Sequence, residues 1–469
     1  MDPDNAKPQL RRALGLADTA LMIVAALVSL NTMAPLAQNG PMLLWIWPIA
    51  LLLFFIPEGI TVIELSQHYP GEGAVYVWPG RLLGDYCGFL SGWCYWMANI
   101  VYVPTLIVSS VGFIAYLFGA SGKGLAANGV AVEAGSFSLL LLVIWLNVRG
   151  LASQKWLVNV AAIATLGVGA FLIILGAWLA FTHGIPTGAL KWHPSGFDWN
   201  WVAVFSVVCF SLLGLEVASN VGGEIRNPRR VLPRAILLGG MLVALIDLLL
   251  SGSMLIAAPA SGLSLIQGVL DAAVGMAAAV GLASPAAPLA GILGLAVAGT
   301  AAAWTASSAR LPYVAALEGH LPAAFARLHP RYASPFISLW VCGALCALAL
   351  GVSFAGAGIN EAFQTILDLS VILSLLQYLF MFASLIALVR RPAGRTLYFR
   401  RWILAVAGIS GLCTIMVATA CAFIPTRQVE NPGLFELKLI AVTVLVMGAG
   451  AVWFRVNRRT NAVQAEARP

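Results

Sequence analysis

Three acidic residues, Glu216, Asp247 and Asp368, each sit inside a long apolar run of this chain. A carboxyl group in such surroundings is expensive to bury, so each is a candidate for proton uptake or for a hydrogen bond that clamps neighbouring helices. Glu216 is the foremost, because it follows the stretch Ser211-Leu212-Leu213-Gly214, where a Ser and a Gly weaken the helix. A second weak point, Ser29-Leu30-Asn31-Thr32, lies in the first apolar run with Pro35 beyond it. Unwound backbone inside a bilayer needs polar partners and is tolerated only where it is buried in protein or lines a cavity. Paired breaks in corresponding helices therefore point to a central binding site, with helix N-termini facing an anion and loose carbonyls facing a cation. The alternative for either break alone is a small residue packed against a neighbouring helix.

Around these breaks stand residues suited to a cation. Trp93, Trp96, Asn99 and Tyr102 recur at every third position and read as one stripe, and Trp304 adds a further ring. Such rings serve either as packing or as faces that attract an amine. Thr300 and Ser307 offer oxygen to a sodium ion, or else bond to their own helix. Spans three and eight are thus expected to complete the walls of a cavity between the two breaks. Glu64 reads as an interfacial structural residue. Seven cysteines lie without zinc spacing and read as buried thiols. There is no G-x-S-x-G, HExxH or Walker A, and GASGKG at 119–124 lacks the leading Gly and trailing Ser/Thr of a P-loop. No catalytic set, metal cluster, cofactor motif or protein partner is assigned.

The elements that must position these residues are membrane helices. Of 469 residues, 60% are hydrophobic and 10% charged, with mean hydropathy +0.91. Soluble domains carry about 25% charged residues. Twelve runs are long enough to span the hydrocarbon: 16–38, 42–66, 84–118, 134–148, 157–181, 200–222, 234–257, 286–309, 335–355, 360–389, 402–425 and 434–455. The third is tilted, with Pro104 bending it. Residues 258–285 read as a re-entrant or surface helix on the outer side. With the N-terminus inside, 22 of the 26 Lys and Arg fall in cytoplasmic segments, which places both termini in the cytoplasm. This distribution explains the net charge of +7 without nucleic acid. The first run is too long for a secretory signal and lacks a cleavage site, so the expected location is the cell (inner) membrane.

Several motifs resemble the amino acid–polyamine–organocation superfamily. FFIPEGITVIELSQHYPGEGAVYVW (54–78) is similar to its second-helix signature, through Ile63-Glu64-Leu65, Pro70, Gly73, Tyr76 and Trp78. GLEVASNVGGEIRNPRRVLPRAI (214–236) is similar to its sixth helix and exit loop, through Gly214, Glu216, Glu224, Asn227, Pro228, Pro233 and Ala235. SSARLPYVAALEGHLPAAFARLHPRYASP (307–335) resembles the loop after helix eight. Within the superfamily, the run Gly88, Trp93, Trp96, Tyr102 and Pro104 looks most like glutamate/GABA antiporter-like permeases and plant polyamine uptake transporters.

The resemblance implies an all-α polytopic fold of about twelve helices. Residues 16–181 and 200–389 would be two five-helix inverted repeats whose first helices are broken, 402–455 two appended helices, and 1–15 and 456–469 cytoplasmic ends. It implies a secondary transporter of amino acids working by alternating access, with polyamine transport as the alternative and a sensor on a transporter fold as a different class. Two departures bear on the site. The usual Gly-Ser-Gly of helix one is replaced by Ser29-Leu30-Asn31-Thr32, so Asn31 and Thr32 are expected to contact substrate directly. Many sodium-independent relatives carry a lysine in helix five where this chain has Thr165, so proton coupling through Glu216 and Asp247, sodium coupling and simple exchange all stay open.

Overall fold

The computed structural model describes residues 10–28, 30–118, 124–125, 128–184, 199–257, 268–282, 284–354, 359–391, 396–423 and 432–466. Among them the regular structure is helical, with only two isolated bridges between extended residues. Nine helices are long and apolar enough to cross a membrane. They are spans two (Gly40–His68), three (Asp85–Phe118), four (Gly129–Val148), five (Leu151–His183), seven (Pro228–Ala257), eight (Ala286–Leu317), ten (Ile359–Arg390), eleven (Arg401–Cys421) and twelve (Pro432–Glu466). Span nine is Phe336–Phe354. Spans one (Leu16–Leu27 and Leu30–Ala37) and six (Trp199–Ser211 and Val217–Asn220) come in two pieces, which completes twelve. Along span seven Leu238, Met241, Leu245 and Leu249 are exposed while Val243, Leu250 and Met254 are buried. An apolar outer face of this kind is suited to hydrocarbon, where it meets lipid rather than water.

Some boundaries differ from the sequence reading. Ala74–Leu83 forms a separate short helix before span three, divided from it at Gly84 (φ +104). Span three runs through Pro104 without interruption. Gly268–Ala279 is a helix with one buried face, packed against spans one, five and eight.

Span two contains a π-turn, Leu51–Phe55, just before Pro57. Proline has no N–H to give to the carbonyl of Leu53, one helical turn earlier. Ser410 and Thr414 of span eleven bond that carbonyl instead, at 2.9 and 3.2 Å. The wider turn and the proline set the rotation of the residue that follows, Glu58, toward span six.

The breaks have distinct local causes. Span one stops at Val28, which is extended (φ −66°, ψ 94°). Span six stops at Ser211, and the unwound stretch that follows passes through Gly214, whose φ of +135° is reached readily only without a Cβ. The two broken spans touch, with the Thr32 and Ser211 hydroxyls 3.2 Å apart.

The arginine-rich end is closed by backbone pairing. Leu14 bridges Ile225 and Glu72 bridges Val221. Beneath these bridges Arg310, fully buried, gives two hydrogen bonds to Glu224 Oε1, at 3.0 and 2.6 Å. Arg310 lies within the helix Ala286–Leu317, and its burial is matched by the counter-charge of Glu224.

Candidate functional site

A cavity beside both breaks holds about 390 Å³ between its lining atoms, counting its open mouth. Span one contributes Ala26; span three Tyr95, Asn99 and Tyr102; span six Phe210, Leu213 and Glu216; span eight Trp304; and span ten Ser374, Gln377 and Tyr378. The rings form a box: Tyr102 meets Trp304 and Phe210 edge-on at 5.7 and 5.6 Å between centroids, and Tyr95 lies 6.1 Å from Trp304.

Hydrogen-bond accounting shows what the cavity lacks. Asn99 Nδ2 donates to its own helix at Tyr95 O (2.8 Å), which fixes Asn99 Oδ1 as an acceptor, and that oxygen is buried without a partner. Glu216 Oε1 and both ends of the Gln377 amide are likewise buried and unpaired among the described residues. Buried polar atoms are nearly always bonded in native proteins, so this concentration of open acceptors marks a place for a ligand that donates. The donors are mostly engaged. Trp304 Nε1 gives its proton to Ala26 O (3.1 Å), and the Tyr95 hydroxyl pairs with Ser307 Oγ (2.7 Å).

Span six is held by a buried carboxyl–phenol group. The Tyr378 hydroxyl lies between two carboxylates, bonding Glu216 Oε2 and, at 3.2 Å, Glu58 Oε1. It also accepts the Gly214 amide at 2.9 Å. Glu58 Oε1 accepts Leu215 N at 3.1 Å and, more loosely, Gly214 N at 3.4 Å. One phenol proton serves two carboxylates, so the group has room for a further proton.

The structure distributes the sequence candidates unevenly. Asn99, Tyr102, Leu213, Glu216 and Trp304 line the cavity. Gly214 forms the break and gives its amide to Glu58 and Tyr378; Leu30 and Leu212 are packed in the core. Thr32 and Ser211 join the two broken spans and are not lining residues. Ser29 and the side chains of Asn31 and Asp368 lie outside the described residues.

Trp96 is a correction. It lines a different pocket, with Tyr76, Phe89 and Trp93, and Trp93 bonds Val446 O of span twelve at 2.9 Å. Three residues turn an α-helix by about 300°, so positions 93, 96, 99 and 102 drift across roughly half the circumference and do not share one face. Asp247 is fully buried with neither oxygen bonded among the described residues, and it is absent from the cavity wall. Thr300 and Ser307 do not converge. Thr300 Oγ1 bonds Ala25 O (2.7 Å), Ser307 Oγ bonds Tyr95 and Asn220 (2.7 and 3.0 Å), and seven residues separate them by about 10 Å of helix.

Sequence reasoning missed Ala26, Tyr95, Phe210, Ser374, Gln377 and Tyr378 of the wall, and it assigned no role to Glu58. The signal for Glu58 was present in Pro57, which weakens the helix beside it. Span ten carried none, since its polar residues are scattered in an apolar run.

Outside the spans, burial pushes the Glu72 carboxyl well above the usual carboxylate range, and the neighbouring Glu224 charge adds to this while Arg310 opposes it. Glu64 is a structural anchor that accepts the Tyr398 and Phe399 amides at 3.1 and 3.0 Å.

Comparison with known proteins agrees with this architecture. The amino acid permease family profile matches residues 14–449. An uncharacterised transporter of Legionella pneumophila is 28% identical over 93% of this chain and 95% of its own. A probable agmatine/putrescine antiporter of Lactococcus lactis is 25% identical over 54% of this chain and 53% of its own. A probable polyamine transporter of Arabidopsis thaliana is 28% identical over 41% of this chain and 37% of its own. With the profile spanning nearly its whole length, the chain belongs to the amino acid permease family, of the amino acid–polyamine–organocation superfamily of membrane transporters.

Proposed function

We propose that the protein is a secondary active transporter that carries a small amine-bearing metabolite across the cell (inner) membrane by alternating access, with both termini cytoplasmic. The two five-helix repeats, 16–181 and 200–389, would rock about the cavity, with 402–455 as an appended pair. The observation that carries this reading is the set of open acceptors, Glu216 Oε1, Asn99 Oδ1 and Gln377 Oε1, beside the Tyr95, Tyr102 and Trp304 rings. A primary ammonium has three N–H donors and a positive charge, which suits both the acceptors and the aromatic faces. Amino acids, the class named by the family, and polyamines both bear that group. The position of Glu58 favours the second class, as argued below.

The test is uptake by protein reconstituted in liposomes, with labelled amino acids and amines. A transporter gives saturable uptake that unlabelled substrate inside the vesicle accelerates. Ion conductance in its place identifies a channel, and binding without movement identifies a sensor; either result overturns the reading.

A further inference from the structure

Two backbone amides at the span-six break, those of Gly214 and Leu215, have no helical acceptor because the chain is unwound there. In a non-polar interior such a pair is a natural seat for a carboxylate. The seat is filled from within the protein. Glu58, fully buried, reaches across from span two and places Oε1 at 3.1 Å from Leu215 N and 3.4 Å from Gly214 N. Glu58 does not line the cavity, whereas Glu216, on the other side of the Tyr378 hydroxyl, does.

We infer that Glu58 is the resident acceptor of the span-six break and a specificity-determining positioning residue: it occupies the Leu215 amide and shares the Gly214 amide with the Tyr378 hydroxyl, the amides that a substrate carboxylate would use, and leaves Glu216 to face the substrate's amine. This rests on the cavity being the substrate site, as proposed above. What remains in the cavity is poor in donors. Trp304 Nε1, Asn99 Nδ2 and the Tyr95 and Tyr378 hydroxyls are engaged, which leaves the Gln377 amide and the Ser374 hydroxyl as neutral donors on the wall. A substrate carboxylate placed there would exchange its water for one or two neutral donors with no cation and no free backbone amide, and it would meet the Glu216 carboxyl. The site therefore selects an amine whose recognised end carries no carboxylate.

The test uses pairs of compounds that differ by one carboxylate: putrescine against ornithine, and agmatine against arginine. With the purified full-length protein, ligand-induced thermal stabilisation is expected to give an affinity for the amine about tenfold or more above that for its amino acid partner. Preference for the amino acid in both pairs overturns the inference. Glu58→Gln, whose amide oxygen still accepts both N–H groups, is expected to keep the wild-type preference, and its loss in that variant overturns the assignment. Glu58→Ala opens the seat. Sodium formate is then expected to raise the melting temperature of Glu58→Ala, compared with sodium chloride at the same concentration, while leaving the wild type unmoved. Formate stabilising both proteins equally, or neither, overturns the resident-acceptor role. Absence of any shift with all four compounds in the wild type refutes the cavity as an amine site instead, and the formate comparison still decides Glu58 independently.

Discussion

At the residue scale the permease hangs on two positions of span six. A Cβ added to Gly214 would lie 2.8 Å from Leu27 Cδ1 and 3.2 Å from Trp304 Cζ2, at a φ that side chains disfavour. Gly214→Val is expected to destabilise by about 2–4 kcal/mol, through backbone strain and overpacking, and to abolish transport while the protein still reaches the membrane. Membrane fractionation and reconstituted uptake check this, and full activity in the variant would move the site elsewhere. Glu216 shares the Tyr378 proton on one oxygen and turns the other to the cavity. A proton held there would compete with a substrate amine for the same oxygen. Glu216→Gln is therefore expected to alter the pH dependence of uptake more than it alters the melting temperature. An unchanged pH profile would leave Glu216 as a bracket that only ties spans six and ten together.

At the element scale the arginine-rich end is a small network of extended backbone over buried charge. Glu72 lies against Gly223, where an added Cβ would come within 2.6 Å of its Oε1, and close to the Arg310–Glu224 pair. The folded protein keeps the Glu72 proton over a pH range in which the unfolded chain has released it. Stability is thus fully present below the ordinary carboxylate value of 4.5 and declines as pH rises from there through Glu72's own raised value, above which the dependence ends. Its slope is about 1.4 kcal/mol for each pH unit over which the extra proton is held. Glu72→Gln should flatten the curve of melting temperature against pH above the ordinary carboxylate value of 4.5, because its amide cannot ionise. A curve as steep as the wild type's would assign the proton to another group.

At the scale of the whole molecule, the asymmetric distribution of Lys and Arg is the basis for the proposed orientation with both termini in the cytoplasm. Reporter fusions at both ends are expected to be active only in the cytoplasm, and a C-terminal reporter active outside would sink the topology. With Leu14, Glu72, Val221 and Ile225 joined, this conformation is shut on the arginine-rich side. In the proposed alternating-access cycle, opening toward that side would part both bridges and the Arg310–Glu224 pair.

Much of the architecture was legible in the residues alone. The number of spans, the two breaks and the charge bias depend on local composition, because hydrocarbon demands about 20 apolar residues per crossing and tolerates unwound backbone only in sheltered places. Ser211 to Gly214 and Ser29 to Thr32 were therefore visible as weak points, although in span one the chain leaves the helix at Val28 and is helical again from Leu30. Which side chains meet there was decided by helix rotation and packing. Trp96 and Asn99 are three residues apart and face different pockets, while Glu58 and Tyr378 are 320 residues apart and share a hydrogen bond. A π-turn and a proline in span two aim Glu58, and the antiparallel or parallel neighbour that receives it is set by the packing of the bundle. Spacing along one helix carries no record of that neighbour, so the central carboxyl–phenol group belongs to the tertiary structure alone.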